Sequence, residues 1–188
     1  DQEKGTVLTD REYLKLYQPY REKGQFGMFL QSKVATKEVV KLAKEEKLSF
    51  LRVGNLAGDG KQSEKAIKMV KEEGLQCRYS MMRVYLLTPE ETAKEAELLE
   101  RLGADEVTLM DSAGTMRPDE VAAYIKAVKE STTIPIGFHG HNNLGMSAAN
   151  ALAAMEAGAD ILDCGLMGMA RSAGNCPTEL LLALLKQK

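Results

Sequence analysis

The sequence has no uninterrupted apolar stretch approaching the ~20 residues needed to cross a membrane, and its first residues do not resemble a signal peptide. Its net charge of −2 provides no basic surface for nucleic acid or for an anionic membrane. The glycine-rich motifs of dinucleotide-binding and P-loop proteins are absent, so a nucleotide-binding domain loses its main support. We therefore expect a cytoplasmic protein with a small-molecule substrate, and no nucleic-acid or membrane partner.

Cysteine is scarce as well. The three cysteines form no Cys-x-x-Cys pair, so we expect reduced thiols in the core or in loops rather than disulfides or a thiolate zinc site. Apolar residues make up 44% of the chain and charged residues 28%, which excludes disordered and collagen-like proteins. A length of 188 residues suffices for a domain with a substantial core.

A repeat runs through the chain, in which short segments rich in β-forming residues alternate with segments of helical apolar spacing. The spacing predicts strands over 26–31, 50–56, 77–85, 106–111, 135–141 and 161–166. A helix over 9–23 is predicted before the first strand, and another over 144–157. Such a repeat fits a (β/α)8 barrel or an open doubly wound sheet. Six units of about 31 residues fall short of the ~250 residues of a usual barrel.

Both histidines of the sequence lie in one segment, Gly-Phe-His-Gly-His-Asn-Asn at 137–143. Residues i and i+2 of a strand point to the same side, so we expect His139 and His141 side by side. At the C-terminal end of a barrel strand, that side faces the mouth where catalytic groups lie. Two adjacent imidazoles make half of a divalent metal site, although histidines packed in a core or bonded to solvent give the same pattern.

Other polar residues follow the neighbouring predicted strands. The amide oxygen of Asn175 would suit a hard cation, but Gly174-Asn175 also fits a turn before a helix. The hydroxyl of Ser112 would bind a substrate carboxylate, and Asp111 would orient a ligand histidine. A turn or a helix N-cap explains these two residues equally well.

Arg52 places a charge inside an otherwise apolar predicted strand, so it requires a partner. An anionic substrate would make Arg52 a candidate catalytic residue. A structural salt bridge explains the residue equally well. Arg83 raises the same question with a weaker signal.

Together these motifs resemble those of the metal-dependent TIM-barrel lyases and synthases. This superfamily holds hydroxymethylglutaryl-CoA lyase, isopropylmalate and homocitrate synthases, and 4-hydroxy-2-oxovalerate aldolase. The resemblance rests on 137–145, 157–160 and 173–175, while Met-Asp-Ser-Ala-Gly at 110–114 and Met-Met at 81–82 resemble the aldolase branch most. It implies an α/β fold, a (β/α)8 TIM barrel, with 1–188 as one partial pyruvate-carboxyltransferase-type domain of about six βα units.

The resemblance also implies roles by position. His139, His141 and Asn175 would hold a divalent metal, Mn²⁺ or Mg²⁺, with Zn²⁺ as a further option. Ser112 would contact the substrate carboxylate, and Asp111 and His139 would complete the substrate site. The implied reaction cleaves a 4-hydroxy-2-oxovalerate-like acid to pyruvate and an aldehyde through a metal-stabilised enolate.

Several features that the resemblance implies have no counterpart in the sequence. These are a first strand with an Arg-Asp-Gly motif supplying a third ligand, a general-base histidine, and a C-terminal domain that docks an aldehyde dehydrogenase. We therefore expect a barrel lacking its first strand, first helix and second strand, with no aldehyde dehydrogenase partner. Its exposed strand edges favour a homo-oligomer.

Two alternatives stay open at this point. The chain fits an acyl-CoA-using synthase of the same superfamily, and it also fits an inactive truncated barrel that only self-associates. The Met-Asp-Ser-Ala-Gly segment favours the aldolase. The residues give no indication of which aldehyde is released.

Overall fold

The computed structural model describes residues 8–186, in which six β-strands alternate with helices. The strands are β1 (Gly27–Gln31), β2 (Phe50–Leu56), β3 (Gln76–Met82), β4 (Glu106–Asp111), β5 (Ile136–Gly140) and β6 (Ile161–Asp163). The α-helices are α1 (Asp10–Lys15), α2 (Lys37–Glu45), α3 (Glu64–Glu72), α4 (Pro89–Leu102), α5 (Pro118–Ser131), α6 (Ser147–Glu156) and α7 (Thr178–Leu185).

The six strands are all parallel and pair in sequence order, β1-β2-β3-β4-β5-β6. Parallel crossovers are right-handed, so an unbroken sequential order puts every connecting helix on one face of the sheet. A doubly wound sheet instead reverses its strand order and has helices on both faces. The predicted α/β barrel architecture with six βα units is therefore confirmed, and the doubly wound alternative is excluded.

An ion pair shows that the sheet is strongly curved. Arg52 of β2 contacts Asp163 of β6, although these strands are four places apart in the sheet. In a flat sheet their backbones would be about 19 Å apart, beyond the reach of two side chains. The strands therefore follow the arc of a barrel, and within residues 8–186 the arc stays open because β1 and β6 do not pair.

The apolar core lies between the outer face of this arc and the helices. Alternate residues of the central strands are almost fully buried there, each contributing about 1.5–3 kcal/mol through burial of its apolar side chain. The strand residues in this core include Leu51, Val53, Tyr79, Met81, Val107, Leu109, Ile136 and Phe138, and the helix residues include Val40, Ile67, Val70, Leu99, Ile125 and Val128. This core fixes the positions of the strand ends.

A repeated joint connects helix to strand in two of the units. Gly103 and Gly158 end α4 and α6 with φ values of +103° and +107°, a conformation that glycine adopts without strain. Two residues later, Asp105 accepts a hydrogen bond from the backbone N–H of Cys77 at 2.7 Å, and Asp160 from that of Ile136 at 2.9 Å. Each aspartate thus accepts a hydrogen bond from a backbone N–H at the start of the preceding strand, and this bond helps to set the register between neighbouring units.

Two helix boundaries differ from the predicted ones. The segment 9–23 splits into α1 and a separate 3-10 turn at Gln18–Lys23, because Pro19 has no N–H to continue an α-helix. The segment 144–157 becomes helical only at α6, after Gly145 adopts a φ of +71°. No helix within residues 8–186 has the length and apolar character needed to span a bilayer.

Two strands also end earlier than predicted. β3 stops at Met82 because Arg83 adopts a left-handed conformation with φ 58°. β6 stops at Asp163, and the chain then runs through a loop with a short 3-10 turn at Leu166–Gly168. The two strands end at the same edge of the sheet, β3 where Arg83 leaves the β region and β6 two residues before Gly165, which is still extended.

Candidate metal centre

The loops that follow β4, β5 and β6 meet at the carboxyl edge of the sheet. The backbone N–H of His141 donates to the carbonyl of Asp111 at 3.2 Å, and that of Asn142 donates to the carbonyl of Gly174 at 2.8 Å. These two bonds join the three loops. The predicted site residues Ser112 and Asn175 directly follow Asp111 and Gly174, whose carbonyls accept these bonds.

The two imidazoles are adjacent. His139 belongs to β5 and His141 follows it after Gly140, and their ring centroids are 5.3 Å apart with the planes at 72°. The i, i+2 spacing explains this placement, since both side chains leave the strand on its inner side. Gly114 on the neighbouring loop comes so close to this segment that a Cβ there would lie 2.7 Å from the backbone of His141.

Asn175 pairs with His141 through an isolated antiparallel β-bridge. Two buried polar atoms at this bridge have no hydrogen-bond partner, Nδ1 of His141 and Oδ1 of Asn175. A buried acceptor without a partner is unfavourable by about 1–3 kcal/mol unless a ligand satisfies it. One nitrogen and one oxygen acceptor next to a second imidazole fit a divalent cation, so the residues present suit a metal.

The protonation of His141 also suits a ligand. Burial lowers the pKa of this imidazole, and the neighbouring His139 lowers it further. A hydrogen bond with the backbone of Arg171 and the charge of Asp111 oppose the shift without reversing it. His141 is therefore neutral at pH 7, the form in which an imidazole coordinates a metal.

His139 has a carboxylate partner on the next strand. Its Nδ1 lies 3.3 Å from Oδ2 of Asp163, which is its register partner in β6. Burial raises the pKa of Asp163, but the hydrogen bond from His139 and the charge of Arg52 outweigh this effect, so the pKa lies below its ordinary value. Asp163 is thus an ionised carboxylate between an imidazole and a guanidinium.

Asp111 does not take the predicted role of orienting a histidine. Its carboxylate is fully buried and accepts hydrogen bonds from the backbone N–H groups of Gly114, Thr115 and Met116, at 2.9, 3.3 and 3.0 Å. Both oxygens are therefore engaged in shaping the loop after β4. The prediction for Asp111 is corrected in this respect, since the carboxylate beside a histidine belongs to Asp163.

Ser112 faces the loop after β3. Its Oγ accepts a hydrogen bond from the backbone N–H of Arg83 at 3.0 Å. A serine hydroxyl that accepts one bond still has its own proton to donate. Ser112 therefore lies at the carboxyl edge of the sheet, with a hydroxyl proton that no group within residues 8–186 accepts.

Arg52 has protein partners in the barrel interior. Its guanidinium contacts Asp163, with Nη2 to Oδ1 at 3.3 Å, and reaches Glu106 at 3.4 Å. Glu106 also pairs with Nε of Arg78 at 3.1 Å. Of the two explanations for Arg52, the salt bridge is the one that the structure shows, and a catalytic role in binding an anionic substrate stays a prediction.

Two residues of the site were not predicted from the sequence. Asp163 carries the same signal as Arg52, a charge inside an apolar strand, so the sequence contained the information to find it. Asn143 gave no such signal. Its amide nitrogen donates to the carbonyl of Ala113 at 2.6 Å, and its oxygen accepts from the Ser172 hydroxyl at 2.7 Å and from the Ala173 N–H at 3.2 Å.

The donor set is small. Within residues 8–186, no group of three or more histidine, cysteine, aspartate or glutamate side chains is placed to hold a metal ion. The candidate centre that the described residues form is therefore two imidazoles and one amide. We use "candidate metal centre" for His139, His141 and Asn175 from here on.

Comparison with known proteins gives the chain its relatives. It is 38% identical over 179 residues to a 4-hydroxy-2-oxovalerate aldolase of Moorella thermoacetica, covering 95% of this chain and 53% of the relative. It is 40% identical over 180 residues to the aldolase of that name from Roseiflexus castenholzii, covering 96% of this chain and 54% of the relative. The chain thus spans about half the length of the curated relatives it matches.

Solved structures show the same fold. The N-terminal domain of a proposed aldolase from Bacteroides vulgatus superposes with a TM-score of 0.80 at 25% identity, over 93% of this chain and 60% of the other. The carboxyl transferase domain of Rhizobium etli pyruvate carboxylase gives 0.85 at 22% identity, over 93% of this chain and 32% of the other, and shows the fold alone. Because the HMGL-like family model matches residues 57–188, which include the whole candidate metal centre, the chain belongs to the HMGL-like family.

Proposed function

We propose that this chain carries the metal-binding part of the active site of a carbon–carbon lyase. The substrate class is a 4-hydroxy-2-oxo acid, which is cleaved to pyruvate and an aldehyde. The observation that carries the proposal is the pair of buried, unpartnered acceptors, Nδ1 of His141 and Oδ1 of Asn175, beside the imidazole of His139. The names of the curated relatives, at 38% and 40% identity, support the substrate class.

The ligand types select the metal. Imidazole nitrogen suits Zn²⁺ and other later transition metals, whereas amide and carboxylate oxygen suit Mg²⁺ and Mn²⁺. A mixed set of two nitrogens and one oxygen favours Mn²⁺ over Mg²⁺, because Mg²⁺ prefers an all-oxygen shell. His139, His141 and Asn175 would hold the ion, with Zn²⁺ as the competitor to test.

Aldol cleavage places defined demands on the protein. The bond between carbons 3 and 4 breaks, its electron pair moves to carbon 3, and the 4-hydroxyl proton passes to a base. The chemistry that a bound divalent ion supplies is Lewis-acid stabilisation of the resulting enolate. Both histidines of the sequence belong to the candidate metal centre, so no third histidine of this chain accepts that proton.

Ser112 has a binding role in the proposal. Its hydroxyl, fixed by the N–H of Arg83, would donate to the substrate carboxylate. That bond would hold the 2-oxo acid by the end away from the bond that breaks. Asp111 supports the loop on which Ser112 lies through its three bonds to backbone N–H groups.

A Mn²⁺ titration tests the proposal. We expect micromolar binding by the wild-type chain and no comparable binding by the His139→Ala/His141→Ala variant, followed by calorimetry or by the EPR signal of free Mn²⁺. Cys164→Ala is the matched control, because this exposed thiol lies next to Asp163 and is a competing soft ligand that must not matter. A parallel Zn²⁺ titration ranks the two metals.

A chemical readout completes the test. The proposal predicts deuterium exchange at the methyl group of pyruvate that depends on both the added metal and the two histidines. Binding of Mn²⁺ no tighter than that of the double variant would contradict the proposed function.

The second candidate, a chain that only self-associates, also has a structural observation in its favour. Apolar side chains are exposed near both ends of the described sheet, with Phe29 of β1 45% exposed and Met167 and Met169 beyond β6 79% and 75% exposed. Unpaired strand edges with apolar neighbours favour association with further copies. Light scattering of the purified chain decides between the candidates, since a stable monomer with metal-dependent exchange excludes the second.

A further inference from the structure

Asp163 joins the candidate metal centre to the barrel interior. Its Oδ2 lies 3.3 Å from Nδ1 of His139 and also contacts Nη1 of Arg52, while its Oδ1 lies 3.3 Å from Nη2 of Arg52. The three side chains are largely buried, with exposed fractions of 17% for Asp163, 14% for His139 and 18% for Arg52. Solvent therefore does little to weaken these contacts.

The contact defines which nitrogen of His139 carries the proton. A neutral imidazole has one N–H and one acceptor nitrogen, and an ionised carboxylate only accepts. Nδ1 must therefore hold the proton to bond to Asp163, which leaves the lone pair on Nε2. An imidazole with a free Nε2 lone pair and a carboxylate behind it is prepared to bind a cation.

Arg52 fixes the carboxylate itself. Two guanidinium nitrogens engage the two oxygens of Asp163 side by side, so the carboxylate cannot rotate away from His139. Arg52 lies on β2 and Asp163 on β6, so this bond spans the interior of the arc. The orientation of a ligand on β5 is thus held from the opposite side of the barrel interior.

We propose that Asp163 is a positioning residue that sets the tautomer of His139, with Arg52 holding Asp163 in place. This inference rests on the proposed function of the candidate metal centre. It differs from a purely structural salt bridge in one measurable respect. A structural bridge between Arg52 and Asp163 does not require the proton of His139 to lie on either nitrogen.

Long-range ¹⁵N–¹H spectra of histidine-labelled protein measure this property without any metal. The sequence has two histidines, and His141→Ala identifies the signals of His139. In the wild type at pH 8.5 we expect His139 with a protonated Nδ1 and an unprotonated Nε2. A wild-type spectrum in which Nε2 carries a proton overturns the proposal, whether or not any variant folds.

Asp163→Asn then reverses the tautomer. Arg52 only donates, so the single amide oxygen stays on its Nη2, and the NH₂ group takes the place of Oδ2, gives up the contact with Nη1 and faces His139. Nδ1 must then accept, and the proton moves to Nε2. The matched control is Asp160→Asn, the same substitution directly before the same strand, at a residue whose carboxylate accepts from the N–H of Ile136 and pairs with Lys129; the amide oxygen of the new side chain can still accept the bond from Ile136. The control leaves the His139 spectrum unchanged.

Metal affinity provides a second readout. Loss of a carboxylate behind a ligand histidine typically weakens metal binding by roughly 10–100-fold, so we expect that increase in the Mn²⁺ dissociation constant of Asp163→Asn. The Asp160→Asn control retains the wild-type constant. The change in affinity follows the change in tautomer, because a protonated Nε2 has no lone pair to donate.

The outcomes separate the two proposals. If the wild type binds Mn²⁺ and Asp163→Asn changes neither tautomer nor affinity, the positioning role is overturned and the metal site stands. If the tautomer reverses in Asp163→Asn but the wild type binds no metal, the positioning role stands and the proposed function fails. A tautomer change that also occurs in Asp160→Asn overturns the positioning role, because the effect is then not specific to Asp163.

Discussion

The two faces of the sheet carry different kinds of residue on the same strands. On the outer face, Leu109 and its neighbours are buried against the helices. On the inner face, the charged residues pair with one another across the arc, with Arg52 and Arg78 opposite Glu106 and Asp163. Because side chains alternate along a strand, every second residue packs in the apolar core against the helices, and the residues between them face the barrel interior.

The two faces differ in how well they tolerate substitution. The outer face depends on apolar surface, which is non-directional and tolerates exchange of one apolar residue for another. The inner face depends on particular pairs whose charges are balanced. Burial raises the pKa of Glu106, and Arg78 and then Arg52 counteract this effect. Removing one member of such a pair therefore leaves the buried charge of its partner without compensation.

The largest expected effect is on the outer face. Leu109→Ala removes an almost fully buried side chain from the core and should lower the free energy of unfolding by about 3 kcal/mol. The adjacent inner residue offers a matched comparison, since Thr108→Val removes only a hydroxyl bonded to Glu106 and should cost about 1 kcal/mol. Urea unfolding measures both. Equal losses would refute the division between the two faces.

An intermediate effect is expected from the inner ion pair. Arg52→Ala leaves Asp163 and Glu106 without a shared cation and should lower the free energy of unfolding by about 2 kcal/mol, less than for a fully buried pair because the side chains retain some exposure. Arg52→Ala/Asp163→Ala should cost less than the two single variants added together, by about 1 kcal/mol or more. Additive losses in urea unfolding would show that the two residues act independently.

The smallest effect involves no change in stability. Cys77 lies on the outer face, where burial raises the pKa of its thiol to about 12, and burial raises that of Cys176 to about 11. Cys164, next to Asp163, is exposed. A reagent that alkylates thiolates should therefore modify one cysteine per folded chain at pH 8 and three after unfolding, as counted by mass spectrometry. Rapid labelling of Cys77 in the native protein would mean that the reagent reaches the core between the sheet and the helices.

The sequence predicted what depends on local pattern. The bounds of β2 and β4 match the structure, because alternation and turn residues define them within a few positions. β3 ended early because Arg83 turns left-handed, which composition does not reveal. The adjacency of His139 and His141 followed from a spacing of two residues. The partner of Arg52 could not be predicted from spacing, because Asp163 lies 111 residues further along the chain and only the curvature of the sheet brings the two residues together.

The two asparagines after the histidines show how unequal neighbouring positions can be. The side-chain oxygen of Asn142 accepts bonds from the backbone and hydroxyl of Ser147, so aspartate would serve there as well. Asn143 donates to one loop and accepts from another. Aspartate would lose the donor, leucine both functions, and glutamine would be a methylene too long. The Asn143 amide thus adds a side-chain link between the loops after β4 and β6 to the backbone bonds of His141 and Asn142, and a substitution that is tolerated at 142 would remove that link if it occurred at 143.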